Sequence, residues 1–137
     1  MNVYKSKYGK LPGSSYSEVM RAARREYRAI QKHTPRRQPY IRSKYFTKDK
    51  IFVNEFWNHL NQKVPADRLR RLKLLACAID LARNNTFDSA VMQNPSKSQE
   101  SLHRFAGQTK DGEIFYVQIK ENKKTNRKDF MSVFPGK

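Results

Sequence analysis

Three side chains near the C-terminal end are of the kinds that phosphoryl chemistry uses. His103, Lys120 and Ser132 sit among apolar residues in HRFAGQTKDGEIFYVQIKENKKTNRKDFMSVFPGK, the run from His103 to Lys137. An imidazole can give and take a proton near neutral pH, and a fixed cation stabilises charge that grows on a phosphate. A hydroxyl can donate to a phosphate oxygen. The stretch reads as three strands, about 102–108, 114–121 and 130–134, with the Asp-Gly pair of Lys110-Asp111-Gly112 marking a hairpin turn. Side chains alternate between the faces of a strand. In the middle strand Phe115, Val117 and Ile119 form a core face, and Tyr116, Gln118 and Lys120 an open one. Placing Met131 and Val133 in the core sends Phe130, Ser132 and Phe134 to the open side. Placing Leu102 in the core sends His103 and Phe105 there too, so His103, Lys120 and Ser132 are expected to converge between aromatic rings suited to stacking on bases.

The rest of the chain must position that face. From Ser15, the stretch Ser15-Tyr16-Ser17-Glu18 is a capping box. Val19, Met20, Ala23, Tyr27 and Ile30 then recur at helical spacing, while Arg21, Arg24, Arg25, Arg28 and Lys32 crowd the other side. These spacings predict a basic amphipathic helix over 16–32, ended by Pro35 and Pro39 and followed by an extended basic linker, HTPRRQPYIRSK. Tyr45-Phe46 and Ile51-Phe52-Val53 flank TKDK and are expected to make a short hairpin or a lead-in, and Phe56, Trp57 and Leu60 are helically spaced. Pro65 opens the most apolar helix, expected over 66–83 and stopped by Asn84-Asn85, with Cys77 buried in it as a structural thiol. Residues 86–101 read as a connecting loop rich in turn residues, including Asn-Pro. The fold class expected is α+β: helices preceding a small antiparallel sheet of three to four strands, with residues 1–45 as a basic helical extension and 46–137 as the main domain.

Bulk composition narrows the partners. The 137 residues carry 29 Lys and Arg against 12 Asp and Glu, a net charge of +17, of which +10 falls in residues 1–46. Such a surplus points first to a polyphosphate partner, because each neutralised phosphate releases counterions. An acidic protein and an anionic membrane are the competitors. One cysteine excludes an internal disulfide framework and fits a reducing compartment. No apolar run reaches membrane-spanning length, and no secretory leader is read at the N-terminus, so a cytoplasmic protein without membrane association is expected. His33, His59 and His103 are far apart and no paired-carboxylate spacing stands out, so no metal site and no cofactor are signalled. Phosphate-cradling glycine loops are absent.

The pattern His103-Arg104-Phe105-Ala106-Gly107, then Gly112-Glu113-Ile114-Phe115-Tyr116-Val117-Gln118-Ile119-Lys120, then Phe130-Met131-Ser132-Val133-Phe134-Pro135, resembles the sheet of the barnase, EndoU, colicin and RelE-like nucleases, especially their phage-associated branch. The resemblance spans about residues 66–135. It implies a metal-independent endoribonuclease, plausible as a toxin, that cleaves RNA by attack of the ribose 2′-OH. By position it implies His103 as general acid or base, Lys120 as stabiliser of the phosphorane and Ser132 as a phosphate-binding hydroxyl. Arg104, Tyr116, Phe134 and the helix arginines Arg21, Arg24, Arg25 and Arg28 are the candidate nucleic-acid contacts, although alternation puts Arg104 on the core face with Leu102 unless the strand bulges there. RNA is the expected partner, with DNA possible, and an acidic antitoxin or immunity protein is a second one. The alternative is a non-catalytic RNA- or DNA-binding protein of phage or mobile-element origin.

Overall fold

The computed structural model describes residues 2–36, 38–94 and 96–136. The linker reading at Arg37 and the Asn-Pro turn at Pro95 lie outside them. The chain folds as β1 (Tyr4–Lys5), α1 (Tyr16–His33), β2 (Tyr40–Ser43), β3 (Asp49–Phe52), α2 (Glu55–Asn61), α3 (Pro65–Lys73), α4 (Leu75–Asn84), β4 (Ala90–Asn94), β5 (Lys97–Gln108), β6 (Ile114–Asn122) and β7 (Lys128–Pro135). The strands form one seven-stranded sheet in the order β1-β5-β6-β7-β3-β2, with β4 added beside β5. Pairs β1–β5 and β3–β7 are parallel and the others antiparallel, so the sheet is mixed, and it curls into a half-barrel.

This corrects the expectation of a small antiparallel sheet of three to four strands following the helices. Strands precede, interrupt and follow the helices. The stretch expected to be a loop over 86–101 holds β4 and the first part of β5, and part of the expected linker is β2. Those segments are short or polar and carry no apolar period. Their backbone groups are satisfied by ladders to partners far away in sequence, such as Ala90 to Arg104 and Ile41 to Ile51.

Local chemistry explains the helices. The Ser15 hydroxyl accepts from the Glu18 N–H, and α1 buries Val19, Ala22, Ala23 and Ile30. The apolar helix expected over 66–83 is two helices, α3 and α4, divided at Leu74 (φ −93°, ψ 1°). Every residue of α4 from Leu75 to Leu81, and Ala82 after them, is buried, which makes α4 the central helix of the core. Gly107 lets β5 pass close to it: a Cβ there would lie 2.4 Å from the Phe115 ring and 2.8 Å from Leu81. Burial pushes the Cys77 thiol up to about 11, which makes it a poor nucleophile at neutral pH. The 1–45 segment supplies β1, α1 and β2, and its Val19, Ala23, Ile30 and Ile41 belong to the same hydrophobic cluster as α4 and the sheet. Among the described residues, no helix is long and apolar enough to cross a membrane.

Candidate nucleic-acid interface

The antiparallel register of β5, β6 and β7 sets side chains in rows across the sheet. Arg104 is opposite Gln118, and Gln118 opposite Ser132. One row away on the same face, Ala106, Tyr116 and Phe134 are aligned, and on the other side Leu102, Lys120 and Asp129. The Ser132 hydroxyl donates to Gln118 Oε1 at 3.3 Å, which leaves the Gln118 amide N–H groups available. Tyr116 and Phe134 rings lie 5.6 Å apart, and the Arg104 guanidinium sits 5.4 Å from the Phe134 centroid. Arg71 of α3 approaches the same ring at 5.6 Å. Arg104 Nε is screened from solvent and has no hydrogen-bond partner among the described residues. A buried donor left unpaired costs about 1–3 kcal/mol.

Phe134 also borders a cleft of about 590 Å³ whose walls carry Lys10, Arg70, Arg71 and Lys73. Its one acid, Asp67, is bound to Arg71 at 3.0 Å and Arg70 at 3.1 Å. The sequence reading missed Arg71 and this cleft. The signal available was the run Arg68-Leu69-Arg70-Arg71, which folds as part of α3.

His103 does not join Lys120 and Ser132. It is opposite Ile119 in the ladder and shares the core face with Phe105, Val117 and Ile119, its side chain only 9% exposed. The expected convergence of His103, Lys120 and Ser132 is therefore corrected, and Phe105 likewise faces the core. The imidazole is tolerated there because both ring nitrogens are satisfied. Ser89 Oγ is 2.9 Å from Nδ1, and Glu121 Oε1 is 2.8 Å from Nε2. Phe46 meets the ring edge-on at 5.1 Å. Phe130 is the second exchange. A bulge between the Gln118–Ser132 and Ile119–Phe130 pairs turns it inward, while Ser132 and Phe134 remain on the open face as expected. Arg104, by contrast, lies on the open face beside Tyr116 and Phe134 with no bulge at its position, because the β5–β6 register runs unbroken from Glu100 to Gln108.

Behind His103 lies a buried cation. Lys128, 2% exposed, donates to Asp49 Oδ2 at 2.9 Å and to the Asn126 side-chain oxygen at 2.9 Å, with Glu121 at 3.8 Å. The hydrogen bond from Lys128, aided by its charge, holds the Asp49 carboxyl below the usual carboxylate value. A carboxyl lowered by folding contributes stability that is present above its unfolded pKa and lost as pH falls through the folded one. Melting followed from pH 6 down to about pH 2 should therefore show an acid-side loss that is smaller in Asp49→Asn. An identical acid limb in the variant would contradict the pair.

Arg21, Arg24, Arg25 and Arg28 occupy the exposed side of α1, and among the described residues none has an ion-pair partner. The Arg24 guanidinium lies 4.6 Å from the Trp57 ring. No group of three or more His, Cys, Asp or Glu side chains is gathered as metal ligands among the described residues. No protein-family model, curated protein or solved structure matches this chain.

Proposed function

We propose that this protein is an RNA-directed, metal-independent endoribonuclease that holds single-stranded RNA across the open face of β5, β6 and β7. The observation that carries the reading is the Arg104–Gln118–Ser132 row, with an unpartnered buried Arg104 Nε and the Tyr116–Phe134 pair beside it. Guanidinium, amide and hydroxyl donors in register suit a phosphodiester, and two adjacent rings suit its bases. The 2′-OH attacks phosphorus in line and gives up its proton to a solvent water, since no side chain of the row is a free base. Arg104 and Lys120 neutralise the phosphorane, Gln118, whose Oε1 the Ser132 hydroxyl holds, donates its amide N–H groups to the non-bridging oxygens, and the Lys120 ammonium protonates the departing 5′-oxygen. The products are a 2′,3′-cyclic phosphate and a 5′-hydroxyl end. His103 has no part in this step, because it is on the other face.

An acidic antitoxin or immunity protein that covers the same row is the partner such an activity calls for. The second reading is RNA or DNA binding without cleavage. It is favoured by one observation: the row and its flanks include no histidine, and the carboxylate aligned with Lys120, Asp129, is already held by Arg127 at 3.2 Å. Incubation of the full chain with single-stranded RNA, with and without EDTA, separates the two. Cyclic-phosphate fragments should appear equally in both arms. Intact RNA at stoichiometric protein, together with salt-sensitive binding, would replace cleavage by binding alone.

A further inference from the structure

A second basic site lies at the sheet edge formed by β2, away from the proposed RNA row. There, a cleft of about 520 Å³ opens between the C-terminal ends of α1 and α4 and the β2–β3 hairpin. His33, Arg42, Lys44, Lys48 and Arg83 line it, and none of its lining residues is an acid. Two carboxylates on the adjoining elements are already engaged: Asp49 by Lys128 at 2.9 Å, and the buried Asp80 by Ser6 at 2.8 Å and Asn84 at 2.9 Å.

The cations are brought together by specific bonds. Lys44 N–H donates to the Arg83 carbonyl at 3.0 Å, which ties the hairpin to the end of α4. Arg42 Nη1 donates to the Lys48 carbonyl at 3.1 Å, which fixes the guanidinium across the turn. The turn itself runs through Thr47 at φ 57° and Lys48 at φ 67°. Two consecutive left-handed residues, neither of them glycine and one β-branched, make an unfavourable backbone. Like charges held together repel, and the carboxylate that Arg42 feels, Asp49, is already held by Lys128 at 2.9 Å. An anion in the cleft would relieve the repulsion.

We propose that this cleft binds a cluster of adjacent phosphates, carried either by a free nucleotide or by consecutive units of an RNA strand. The inference stands independently of the sheet-face reading. Pyrophosphate is the probe, titrated into the full chain at constant ionic strength and followed by calorimetry and thermal melting. One saturable site is expected, with melting raised by about 10 °C at a hundredfold excess over Kd. Lys44→Ala with Arg83→Ala should weaken pyrophosphate at least tenfold. Lys123→Ala with Lys124→Ala, which removes the same charge from the exposed β6–β7 turn, should change it less than twofold.

Lys48→Gly guards against a folding artefact, because glycine takes the left-handed turn without strain. Its ligand-free melting should be unchanged or higher while pyrophosphate binds more weakly. Equal losses in the two double variants, or undiminished binding by Lys48→Gly, would overturn the site. Competition names the source: ATP alone displacing pyrophosphate points to a nucleotide, and a ten-nucleotide RNA with a 5′-hydroxyl doing so points to the strand. Arg104→Ala should leave pyrophosphate binding intact, so failure of one site is read separately from failure of the other.

Discussion

A chain lacking residues 1–34 should show no cooperative unfolding transition. The deletion removes β1 and α1, and with them Val19, Ala23 and Ile30 from the common core, where they are 0%, 0% and 3% exposed. Val19 and Ile30 alone contribute about 3–6 kcal/mol at roughly 1.5–3 kcal/mol each. Whole domains of this size are stable by only about 5–15 kcal/mol. The deletion also strips Ser6 from the buried carboxylate of Asp80, which adds the cost of a buried charge with one partner fewer. Far-UV circular dichroism on heating is the measurement. A truncated protein that melts like the full chain would mean that α1 is an appended arm and that its arginines alone explain its presence.

The second large effect tests the bulge in β7. Phe130 is fully buried and stacks on Phe56, with centroids 5.0 Å apart and planes 7° from parallel. Phe130→Ala should cost about 3–5 kcal/mol and lower the melting temperature by on the order of 10 °C or more. Phe134→Ala, four residues on but on the open face, should cost a small fraction of that and weaken RNA binding instead. Without the bulge, Phe130 and Phe134 would share a face and the two losses would be alike. Similar melting losses in the two variants would therefore contradict the register.

The features legible in the sequence are those whose chemistry is local. The capping box at Ser15, the Asp111-Gly112 turn with Gly112 at φ 93°, and the end of α4 at Asn84 are each decided by a few adjacent residues. The alternation in β6 was equally plain, because three apolar residues mark one face. In β5 the choice rested on Leu102 against His103, and apolarity pointed the wrong way. The imidazole is buried only because Ser89, Glu121 and Phe46, from 14 to 57 positions away, supply its partners. The strands β1, β2, β3 and β4 have two to five residues each and are stabilised by ladders that no local period announces. Arg104 shows the same limit from the other side. Its neighbours in sequence assigned it to the core face, and its neighbours across the sheet make it the centre of the candidate site.

Which face of β5 meets RNA is decided by one comparison. Turnover of single-stranded RNA is measured for Arg104→Ala, His103→Gln and the Lys123→Ala/Lys124→Ala control, well below the melting temperature of each. Arg104→Ala should lower turnover about 100-fold, as expected for loss of a donor that stabilises transition-state charge. It should also reduce the log–log salt slope of binding by about 0.7, one phosphate contact on a single strand. His103→Gln, once shown to be folded, should stay within about twofold of the wild type, like the control, since a group that never touches the substrate contributes no differential binding. A folded His103→Gln that has lost turnover, beside an Arg104→Ala that retains it, would contradict the account and move the chemistry to the face that His103 shares with Glu121.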